Sequence, residues 1–378
     1  MTRMLRSLVT VTAALAVVAA PAAAAAGPPG PDRADLQLRL DDVVAAGAVG
    51  AFAEVRDQHR TWRSTSGVAE VGTNRPVPVN GRFRAGSITK TFLATVVLQL
   101  VDEGRLRLDD PVEAWLPGIV PDGDHITVRH LLNHTSGLFD YLRTLRLPPQ
   151  PEFLEDRWRT RTAAEMVQQA LAHPVTFEPP GSAFRYSNTG YLLLGQIVEA
   201  VTGRPYGREI ERRVIRPLRL RGTSVPGISP WIRGPHPQGY VPIERDGVTQ
   251  LVDYTESNPS VLNAGGEIIS TTRDLNRFFA ALLRGRLLPD HLLDAMKTQG
   301  VEGARKYGLG LSWRTTPCGV LVYGNDGDAL AYQASSFSTP DGRRQVTVAV
   351  TPGLNRELDR VVEAFVDHAI CSGHAAQP

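Results

Sequence analysis

A serine and a lysine stand three positions apart at the start of an apolar segment, in the stretch FRAGSITKTFLATVVLQLVDEG of residues 83–104. On a helix, residues i and i+3 share a face, so the amine of Lys90 can reach the hydroxyl of Ser87. The positive end of the helix dipole and partial burial both disfavour an ammonium group there, which lowers the lysine pKa. A neutral amine beside a hydroxyl is a general base beside a nucleophile, as acyl transfer requires. The alternative is structural: Ser87 caps the helix and Lys90 is a solvated surface residue.

A second polar group, Tyr186-Ser187-Asn188, precedes another apolar helix in the stretch GSAFRYSNTGYLLLGQ. The Tyr186 hydroxyl can carry a proton between Ser87 and a leaving group, and the Asn188 amide can orient Lys90 and a substrate carbonyl. The alternative is again local, because Ser187 or Asn188 can cap the following helix with Tyr186 packed beneath it.

A third group, Asn325-Asp326-Gly327 in VYGNDGDALAYQ, is predicted to end one strand and open a turn into the next. By itself it is typical of a hairpin turn, since tight turns prefer Asn, Asp and Gly. The sequence has no G-x-S-x-G, no H-E-x-x-H, no C-x-x-C and no phosphate-binding glycine loop with a lysine. It therefore gives no support to an α/β-hydrolase, a zinc protease, a zinc ribbon or a P-loop NTPase, and neither a metal nor a cofactor is expected.

The order and spacing of the three groups resemble the serine penicillin-recognising enzymes, specifically the class C β-lactamases and soluble DD-peptidases, and most of all the exported D-alanyl-D-alanine carboxypeptidases. The stretches VRHLLNHTSGLFDY, NAGGEIISTTRDLNRF and CGVLVYGNDG support this resemblance, which covers roughly residues 34–373. It implies a β-lactamase/DD-peptidase-like α+β fold, in which an antiparallel sheet flanked by helices is joined to an all-α domain with the active site in the cleft. It also implies a disulfide between Cys318 and Cys371, the two cysteines of the chain.

The resemblance also implies roles for single residues. Ser87 is then the acylated nucleophile and Lys90 its base, while Tyr186 relays the proton and Asn188 positions the substrate. The oxyanion hole would consist of the backbone N–H groups of Ser87 and Asp328.

The third motif departs from the family pattern of Lys or His, then Thr or Ser, then Gly, because this chain has Asn325, Asp326 and Gly327. Asp328 stands where the carboxypeptidases carry a small hydroxyl residue, and Arg314 on the preceding strand is a candidate ligand for a substrate carboxylate. Acidic side chains repel a free carboxylate. We therefore expect a preference for substrates whose leaving side is neutral or cationic, such as D-amino-acid amides, esters or peptides with an N-terminal D-residue.

Two classes of function follow from this pattern. The first is a secreted serine hydrolase that forms an acyl-enzyme on D-amino-acid peptides, amides, esters or β-lactams. The second is a catalytically weak penicillin-binding or interaction protein that keeps the fold without useful turnover. Covalent labelling that depends on Ser87 separates the two classes, because only the first requires an active nucleophile.

The elements that position these residues come from both ends of the chain. Residues 34–46 are predicted to be helical, GAFAEVRD and RTWRSTSGVAEV alternate like an antiparallel hairpin, and short β-rich runs return after residue 305 before a closing amphipathic helix, RELDRVVEAFVDHAI. Helix-period segments joined by long Pro- and Gly-rich loops lie between them. We therefore expect an α/β domain from residues 34–103 and 305–378 and a mostly helical domain from residues 104–304.

The N-terminus is predicted to be a secretory signal peptide. Residues 1–26 combine Arg3 and Arg6, the apolar run SLVTVTAALAVVAA and the small-residue stretch PAAAAA, and residues 27–33 form a linker. An uncleaved membrane anchor is the alternative, but the apolar run is shorter than the ~20 residues of a spanning helix. In an exported protein two cysteines usually pair, with two unrelated buried thiols as the alternative.

The charge of the chain argues against two kinds of partner. The sequence has 41 Lys and Arg against 39 Asp and Glu, and without the two arginines of residues 1–26 the balance is 39 to 39. No basic run or basic-aromatic pattern appears, so neither nucleic acid nor stable membrane insertion after signal cleavage is expected. The expected partners are a small-molecule or peptide substrate and β-lactams.

Overall fold

The computed structural model describes residues 33–58, 60–301, 306–355 and 358–372. The predicted signal peptide and residues 27–32 of the predicted linker lie outside the described residues.

The strands of the described residues form one large sheet and two small pairs. In chain order they are β1 (Ala48–Asp57), β2 (Arg60–Gly67), β3 (Phe83–Arg84), β4 (Tyr240–Arg245), β5 (Val248–Asp253), β6 (Ile269–Ser270), β7 (Ser312–Thr315), β8 (Leu321–Asp328), β9 (Gln333–Ser338) and β10 (Arg344–Pro352). The large sheet is antiparallel in the order β2-β1-β10-β9-β8-β7, and β3–β6 and β4–β5 are separate pairs. Because β1 pairs with β10, the sheet forms only when both ends of the chain come together. The predicted hairpin and the predicted C-terminal strands are confirmed.

Helices cover both faces of this sheet, and most of the helices come from the stretch of chain between β2 and β7. They are α1 (Arg33–Ala45), α2 (Thr89–Asp102), α3 (Val112–Trp115), α4 (Val128–Leu132), α5 (Ala163–Leu171), α6 (Thr189–Thr202), α7 (Tyr206–Ile210), α8 (Thr272–Leu283), α9 (Asp290–Lys297) and α10 (Asp359–Cys371). The α+β architecture that the sequence predicts, an antiparallel sheet flanked by helices, is confirmed.

The alternation of side chains along β1 separates the two faces of the sheet. Ala51, Ala53 and Val55 are buried in a core with α1 and α10, whereas Phe52 belongs to the core that contains Phe278 of α8. This is the period of two that a strand with both faces covered must have. The sheet is therefore a layer between helices.

Helix α8 lies against the sheet although the sequence assigns it to the mostly helical segment. The amide of Asn276 donates to Glu54 O at 3.0 Å and accepts from Thr347 Oγ1 at 2.8 Å, which ties α8 to β1 and β10. The same segment also contains the hairpin β4–β5. The division of the chain into domains at residues 103/104 and 304/305 stays a proposal.

Helix α2 is buried on almost every side. Eleven of its fourteen residues are buried, and Thr91 Oγ1 donates to Gly310 O at 2.7 Å in the segment before β7. A helix that is buried on nearly all sides, polar residues included, belongs to the interior of a protein. Because Lys90 lies in the first turn of this helix, its amine is removed from water.

The structure joins Cys318 and Cys371 in a disulfide, with their Cα atoms 5.9 Å apart. The bond connects the turn between β7 and β8 to the last residue of α10. Within the described ranges, no helix combines the length and the apolar composition that a membrane span requires.

Candidate active site

Ser87 lies in a short 3-10 turn, Gly86–Ile88, which connects β3 to α2. Gly86 has a φ of +55°, and a Cβ atom at this position would lie 2.7 Å from the backbone nitrogen of Asp328. Glycine is therefore required for this close approach of the turn to β8. Ile88 occupies the N-cap position of α2 without a side-chain cap, so the alternative in which Ser87 caps the helix is wrong.

The amine of Lys90 is completely buried and has three oxygen neighbours. Its Nζ lies 3.1 Å from Ser87 Oγ and donates to Asn188 Oδ1 and to Gly265 O, both at 2.7 Å. Burial lowers the pKa of Lys90 to about 7, although the carboxylate of Asp140 acts in the opposite direction. A large fraction of the amine is therefore neutral near pH 7, and the alternative of a solvated surface lysine is wrong.

In its neutral form, Lys90 has two N–H donors and one lone pair. The oxygens of the Asn188 side chain and the Gly265 carbonyl can only accept, so they take the two N–H groups. The lone pair is left for the Ser87 hydroxyl, which then donates its proton to Nζ. This is the arrangement of a general base and its nucleophile.

Tyr186 contacts the same nucleophile from the loop that leads into α6. Its hydroxyl donates to Ser87 Oγ at 2.9 Å, and the centre of its ring lies 5.0 Å from Lys90 Nζ. Ser87 Oγ therefore lies between an amine and a phenol, two groups that can exchange protons with it.

Asn188 occupies the N-cap position of α6, but its side chain makes no capping bond. Its Nδ2 instead donates to both carboxylate oxygens of Asp140, at 3.2 Å and 3.0 Å. Since a carboxylate can only accept, Asp140 fixes the amide with its oxygen toward Lys90. The capping alternative is wrong for this side chain, which is shared between Lys90 and Asp140.

The Asn325-Asp326-Gly327 group lies inside β8, and the turn follows only at residues 329–332. The prediction that this group opens the turn was wrong, because all three residues stay paired with β9. The side chain of Asn325 is buried and its Nδ2 donates to Thr91 Oγ1 at 3.3 Å. Asn325 thus connects β8 to α2.

Gly327 lets β8 run directly against the nucleophile turn. A Cβ atom at this position would lie 2.0 Å from Ala85 O and 3.2 Å from the backbone nitrogen of Ser87. Contacts this short exclude any side chain. The absence of a side chain at Gly327 and Gly86 brings the backbone of Asp328 next to that of Ser87.

A cavity of about 430 Å³ opens on Ser87 and is lined by four carboxylates, those of Asp326, Asp328, Asp359 and Glu363. Asp326 Oδ1 accepts from Ser335 Oγ at 2.7 Å, and both residues line the cavity. We call this space the acidic cavity.

Arg314, the predicted carboxylate ligand, also lines the acidic cavity. Its guanidinium is bound to Asp367 and lies 3.3 Å from Glu363 Oε1, and both acids belong to α10. The positive charge of Arg314 is therefore balanced by two acids of helix α10.

A second cavity, of about 410 Å³, also opens on Ser87 and is mainly apolar. Its lining includes Leu142, Leu147, Phe153, Tyr254, Leu262 and Leu330. One polar pair, Arg161 and Asp156, is joined at 2.5 Å at its wall. We call this space the apolar cavity.

Comparison with known proteins agrees with this geometry. A family model described as Beta-lactamase matches residues 36–366. The chain belongs to the beta-lactamase family. This confirms the resemblance and the β-lactamase/DD-peptidase-like fold inferred from the sequence, and it makes the chain a serine hydrolase of that type.

Two solved structures of the beta-lactamase fold resemble this chain over nearly its whole length. A D-stereospecific amidohydrolase from a Streptomyces species is 41% identical, with a TM-score of 0.81 and coverage of 88% of this chain and 98% of that protein. The D-amino acid amidase from Ochrobactrum anthropi SV3, in complex with L-phenylalanine, is 29% identical, with a TM-score of 0.77 and coverage of 89% of this chain and 96% of that protein.

The chain also resembles curated proteins in sequence. Penicillin-binding protein 4* of Bacillus subtilis is 27% identical over 327 residues, which is 82% of this chain and 69% of the relative. Several other curated relatives are matched over about half of their length or less.

The sequence did not point to two groups of this beta-lactamase-family site, the Gly265 carbonyl and the Asp140 carboxylate. Both lie in stretches that carried the resemblance, NAGGEIIS and HTSGLFDY, where no role was assigned to them. A carbonyl has no sequence signature, and an acid can be assigned only when its partner is known. Within the described residues, no group of three or more His, Cys, Asp or Glu side chains is arranged to hold a metal ion.

Proposed function

We propose that this chain is a secreted hydrolase that forms an acyl-enzyme at Ser87 and acts on D-amino-acid amides, esters or peptides with an N-terminal D-residue. The observation that carries the proposal is the position of Ser87 Oγ, 3.1 Å from the buried amine of Lys90 and 2.9 Å from the hydroxyl of Tyr186, at the opening of two cavities. Export is proposed from the composition of residues 1–26.

Acylation begins with the attack of Ser87 Oγ on the substrate carbonyl carbon, while the hydroxyl proton moves to the neutral amine of Lys90. The backbone N–H groups of Ser87 and Asp328 stabilise the oxyanion that develops. The bond to the leaving nitrogen or oxygen then breaks, and Tyr186 delivers a proton to the leaving group and recovers one from the Lys90 ammonium. Water then hydrolyses the acyl-enzyme with the same groups acting as base.

The acidic cavity supports a neutral or cationic leaving side. A substrate carboxylate about 4 Å from one ionised aspartate is repelled by about 1 kcal/mol in a water-like dielectric and about 4 kcal/mol at an effective constant of 20. This corresponds to a roughly five- to thousandfold loss of binding. Asp326 and Asp328 both line the cavity, and Arg314 is already bound to Asp367, so Arg314 is not available as a ligand for a free C-terminal carboxylate.

The apolar cavity supports an acyl group with an apolar side chain. Its leucine and aromatic lining would remove such a side chain from water, which contributes about 25 cal/mol for each Å² of apolar surface buried. The resemblance to a D-stereospecific amidohydrolase and a D-amino acid amidase supports the D configuration and the amide leaving group. Reaction with β-lactams also stays a proposal, supported by the resemblance to penicillin-binding proteins.

Intact-mass measurement of the purified chain tests the proposal. The panel contains D-phenylalanine amide, D-phenylalanine methyl ester, D-Phe-D-Ala, its C-terminal amide, and a penicillin. We expect a mass increase that corresponds to the acyl group and is absent in Ser87→Ala. Failure of every compound to label Ser87 would instead support the weak penicillin-binding or interaction protein.

The substrate preference is tested with the free and amidated dipeptides, which differ only at the terminus. We expect kcat/KM to be at least tenfold higher for the amide, and we expect Asp326→Asn and Asp328→Asn to reduce that ratio because asparagine keeps an acceptor oxygen without the charge. A wild-type preference for the free acid, unchanged in both variants, would show that the charge argument is wrong and would restore a carboxypeptidase assignment.

A further inference from the structure

His134 lies behind the proposed site, in the loop that follows α4. It is 1% exposed, and its backbone has a φ of +61°, a left-handed conformation that is uncommon outside glycine and in which asparagine, aspartate and histidine are enriched. Its stretch, VRHLLNHTSGLFDY, contributed to the family resemblance, but the His134 side chain has no role in the acylation steps described above.

His134 holds the chain on both sides of Tyr186. Its carbonyl oxygen accepts from Arg185 N at 2.9 Å, and its Nδ1 accepts from Ser187 N at 3.3 Å. Because a backbone N–H can only donate, Nδ1 must carry the lone pair and the ring proton must be on Nε2. The two residues that flank Tyr186 are thus bound to one histidine.

The ring of His134 also contacts the ring of Tyr186 directly. The two ring centres are 4.1 Å apart with an angle of 34° between the planes. The His134 ring centre lies 5.3 Å from that of Tyr191, and the Tyr186 and Tyr191 rings lie 5.0 Å and 5.4 Å from Lys90 Nζ. His134 therefore packs against the rings of Tyr186 and Tyr191, the two aromatic rings near the buried Lys90 amine.

We propose that His134 is a positioning residue for acylation: its ring fixes the orientation of Tyr186, so that the phenol oxygen stays within hydrogen-bond distance of Ser87 Oγ. A phenol ring rotates about two side-chain bonds, and the pocket must hold it in one orientation for the 2.9 Å contact to persist. Small misplacements of a catalytic group cost large factors in rate. This inference rests on the acyl-enzyme chemistry proposed above.

The alternative to a positioning role is that His134 is a buried residue that contributes only to folding and stability. A core-filling residue changes how much protein folds, but it does not change the rate of each correctly folded site. The two roles are separated by measuring acylation per active site, with the number of sites counted by titration.

The experiment uses His134→Asn, because asparagine tolerates the left-handed backbone and keeps an acceptor oxygen for Ser187 N while removing the ring. His130→Asn is the matched control, since His130 Nδ1 also accepts a backbone N–H, from Thr127 at 3.2 Å, in the preceding helix. The full chain is mixed with D-phenylalanine methyl ester, and the acylation rate constant and the ester concentration at half-saturation are measured.

We expect His134→Asn to lower the acylation rate constant per site roughly ten- to hundredfold, with half-saturation within about twofold of wild type. His130→Asn should stay within about twofold of wild type in both. An unchanged rate constant per site in His134→Asn, or a change confined to half-saturation, would overturn the proposal.

The decisive comparison is made in a Tyr186→Phe background, which lacks the hydroxyl that His134 is proposed to orient. There, His134→Asn should cause less than a twofold further loss, because both changes remove the same function. A full, multiplicative loss would show that His134 does not act through Tyr186. His134→Phe, which keeps a ring against Tyr186, should retain more of the rate per site than His134→Asn, and the opposite order would also contradict the proposal. A wild-type chain that the ester does not acylate would contradict the proposed function itself.

Discussion

At the scale of single residues, the site depends on one lysine whose charge the fold disfavours. Lys90 lies at the positive end of a helix dipole, where a cation is unfavourable. It is also fully buried, which lowers its pKa to about 7, and its hydrogen bonds to Asn188 and Gly265 are compatible with a neutral amine. The unfavourable position of the cation is what makes Lys90 suitable as a base.

Replacement of Lys90 by arginine should be nearly as damaging as replacement by alanine. Arginine keeps the positive charge but does not lose its proton near neutral pH, so it cannot accept the Ser87 proton. We expect the acylation rate constant to fall roughly 10²- to 10⁴-fold in both Lys90→Arg and Lys90→Ala. Lys297→Arg, in the last turn of α9, is the control and should match wild type. Comparable rates in wild type and Lys90→Arg would rule out the lysine as base.

The acylation rate should rise with pH through the pKa of Lys90, which is about 7. The pKa is lowered, so the amine is neutral and able to accept a proton above pH 7 and is protonated below it. We expect the rate constant to fall about tenfold for each pH unit well below 7 and to level off above about pH 8. Rapid-mixing measurements between pH 5.5 and 9 should use an N-acetylated D-amino-acid ester, which does not titrate in this range. A flat profile would mean that another group acts as the base.

At the scale of elements, the site depends on the close approach of β8 to the turn that carries Ser87. Two glycines allow this approach, Gly86 in the turn and Gly327 in the strand. The residues of the Asn325-Asp326-Gly327 group differ from the family pattern. The backbone nitrogen of Asp328 nevertheless lies close to the turn that carries Ser87. A backbone role of this kind survives changes of side chain.

Gly327→Ala is therefore expected to lower the acylation rate at least about 100-fold. The new Cβ would lie 2.0 Å from Ala85 O, so β8 and the Ser87 turn must move apart, which separates the two N–H groups proposed as oxyanion donors. Gly319→Ala is a contrasting variant, because Gly319 has open space around it but a φ of +80°. It should cost about 1–2 kcal/mol of stability without changing the acylation rate per site. Urea denaturation and active-site titration measure the two quantities. An acylation rate constant of Gly327→Ala equal to that of wild type would show that the close approach of β8 to the Ser87 turn is not needed.

At the scale of the whole molecule, the sheet is assembled from both ends of the chain, and the disulfide fixes one of these ends. Cys318 and Cys371 are 53 residues apart in sequence, and their bond joins the β7–β8 turn to α10. Helix α10 also carries Asp367, which binds Arg314 at the acidic cavity. The covalent link thus holds the helix that supports one wall of the site.

Removal of the disulfide should lower stability without abolishing acylation at room temperature. A loop of 53 residues corresponds to about 4 kcal/mol in the chain-entropy model. We expect the double variant Cys318→Ser/Cys371→Ser to lose stability of this order in urea denaturation, and wild type treated with a reductant to behave like it. Peptide mapping without reduction should find the two cysteines linked. Two free thiols in the purified, unreduced protein would contradict the pairing.

The stability of the molecule should also depend on pH through a buried acid, Glu267. Burial raises its pKa to about 7, and its carboxylate accepts from Tyr206 and from Gly227 N. Because the folded-state pKa lies above the unfolded value, stability is highest below the unfolded pKa and is lost as the pH rises toward 7. We expect Glu267→Gln to differ from wild type by less than about 1 kcal/mol near pH 5 and to be more stable by about 3 kcal/mol well above pH 7.

Urea denaturation at pH 5, 6, 7 and 8 measures this difference, with the exposed Glu244→Gln as control. A difference between wild type and Glu267→Gln that is constant with pH would show that Glu267 stays ionised in the folded protein.

The sequence alone determined the elements and the local geometry of the nucleophile. Apolar periods of two and about 3.6 residues located the strands of the sheet and the major helices, because these periods follow from the backbone itself. The spacing of Ser87 and Lys90 predicted their contact, since residues three positions apart on a helix share a face. The contact is present although Ser87 lies in the 3-10 turn that precedes α2. The Asn325-Asp326-Gly327 group was misplaced in a turn, because tight turns and strand ends share a preference for these residues.

Only the tertiary structure decided the electrostatics of the site. The pKa of Lys90 depends on complete burial and on Asp140, and its hydrogen bonds reach Asn188 and Gly265, 98 and 175 residues away in sequence. The predicted ligand Arg314 is instead bound by Asp367 of α10, a pairing that no local pattern contains. Burial and charge balance are sums over all neighbours, whichever part of the chain they come from. A sequence motif names the reacting groups, but the fold sets the protonation state in which they react.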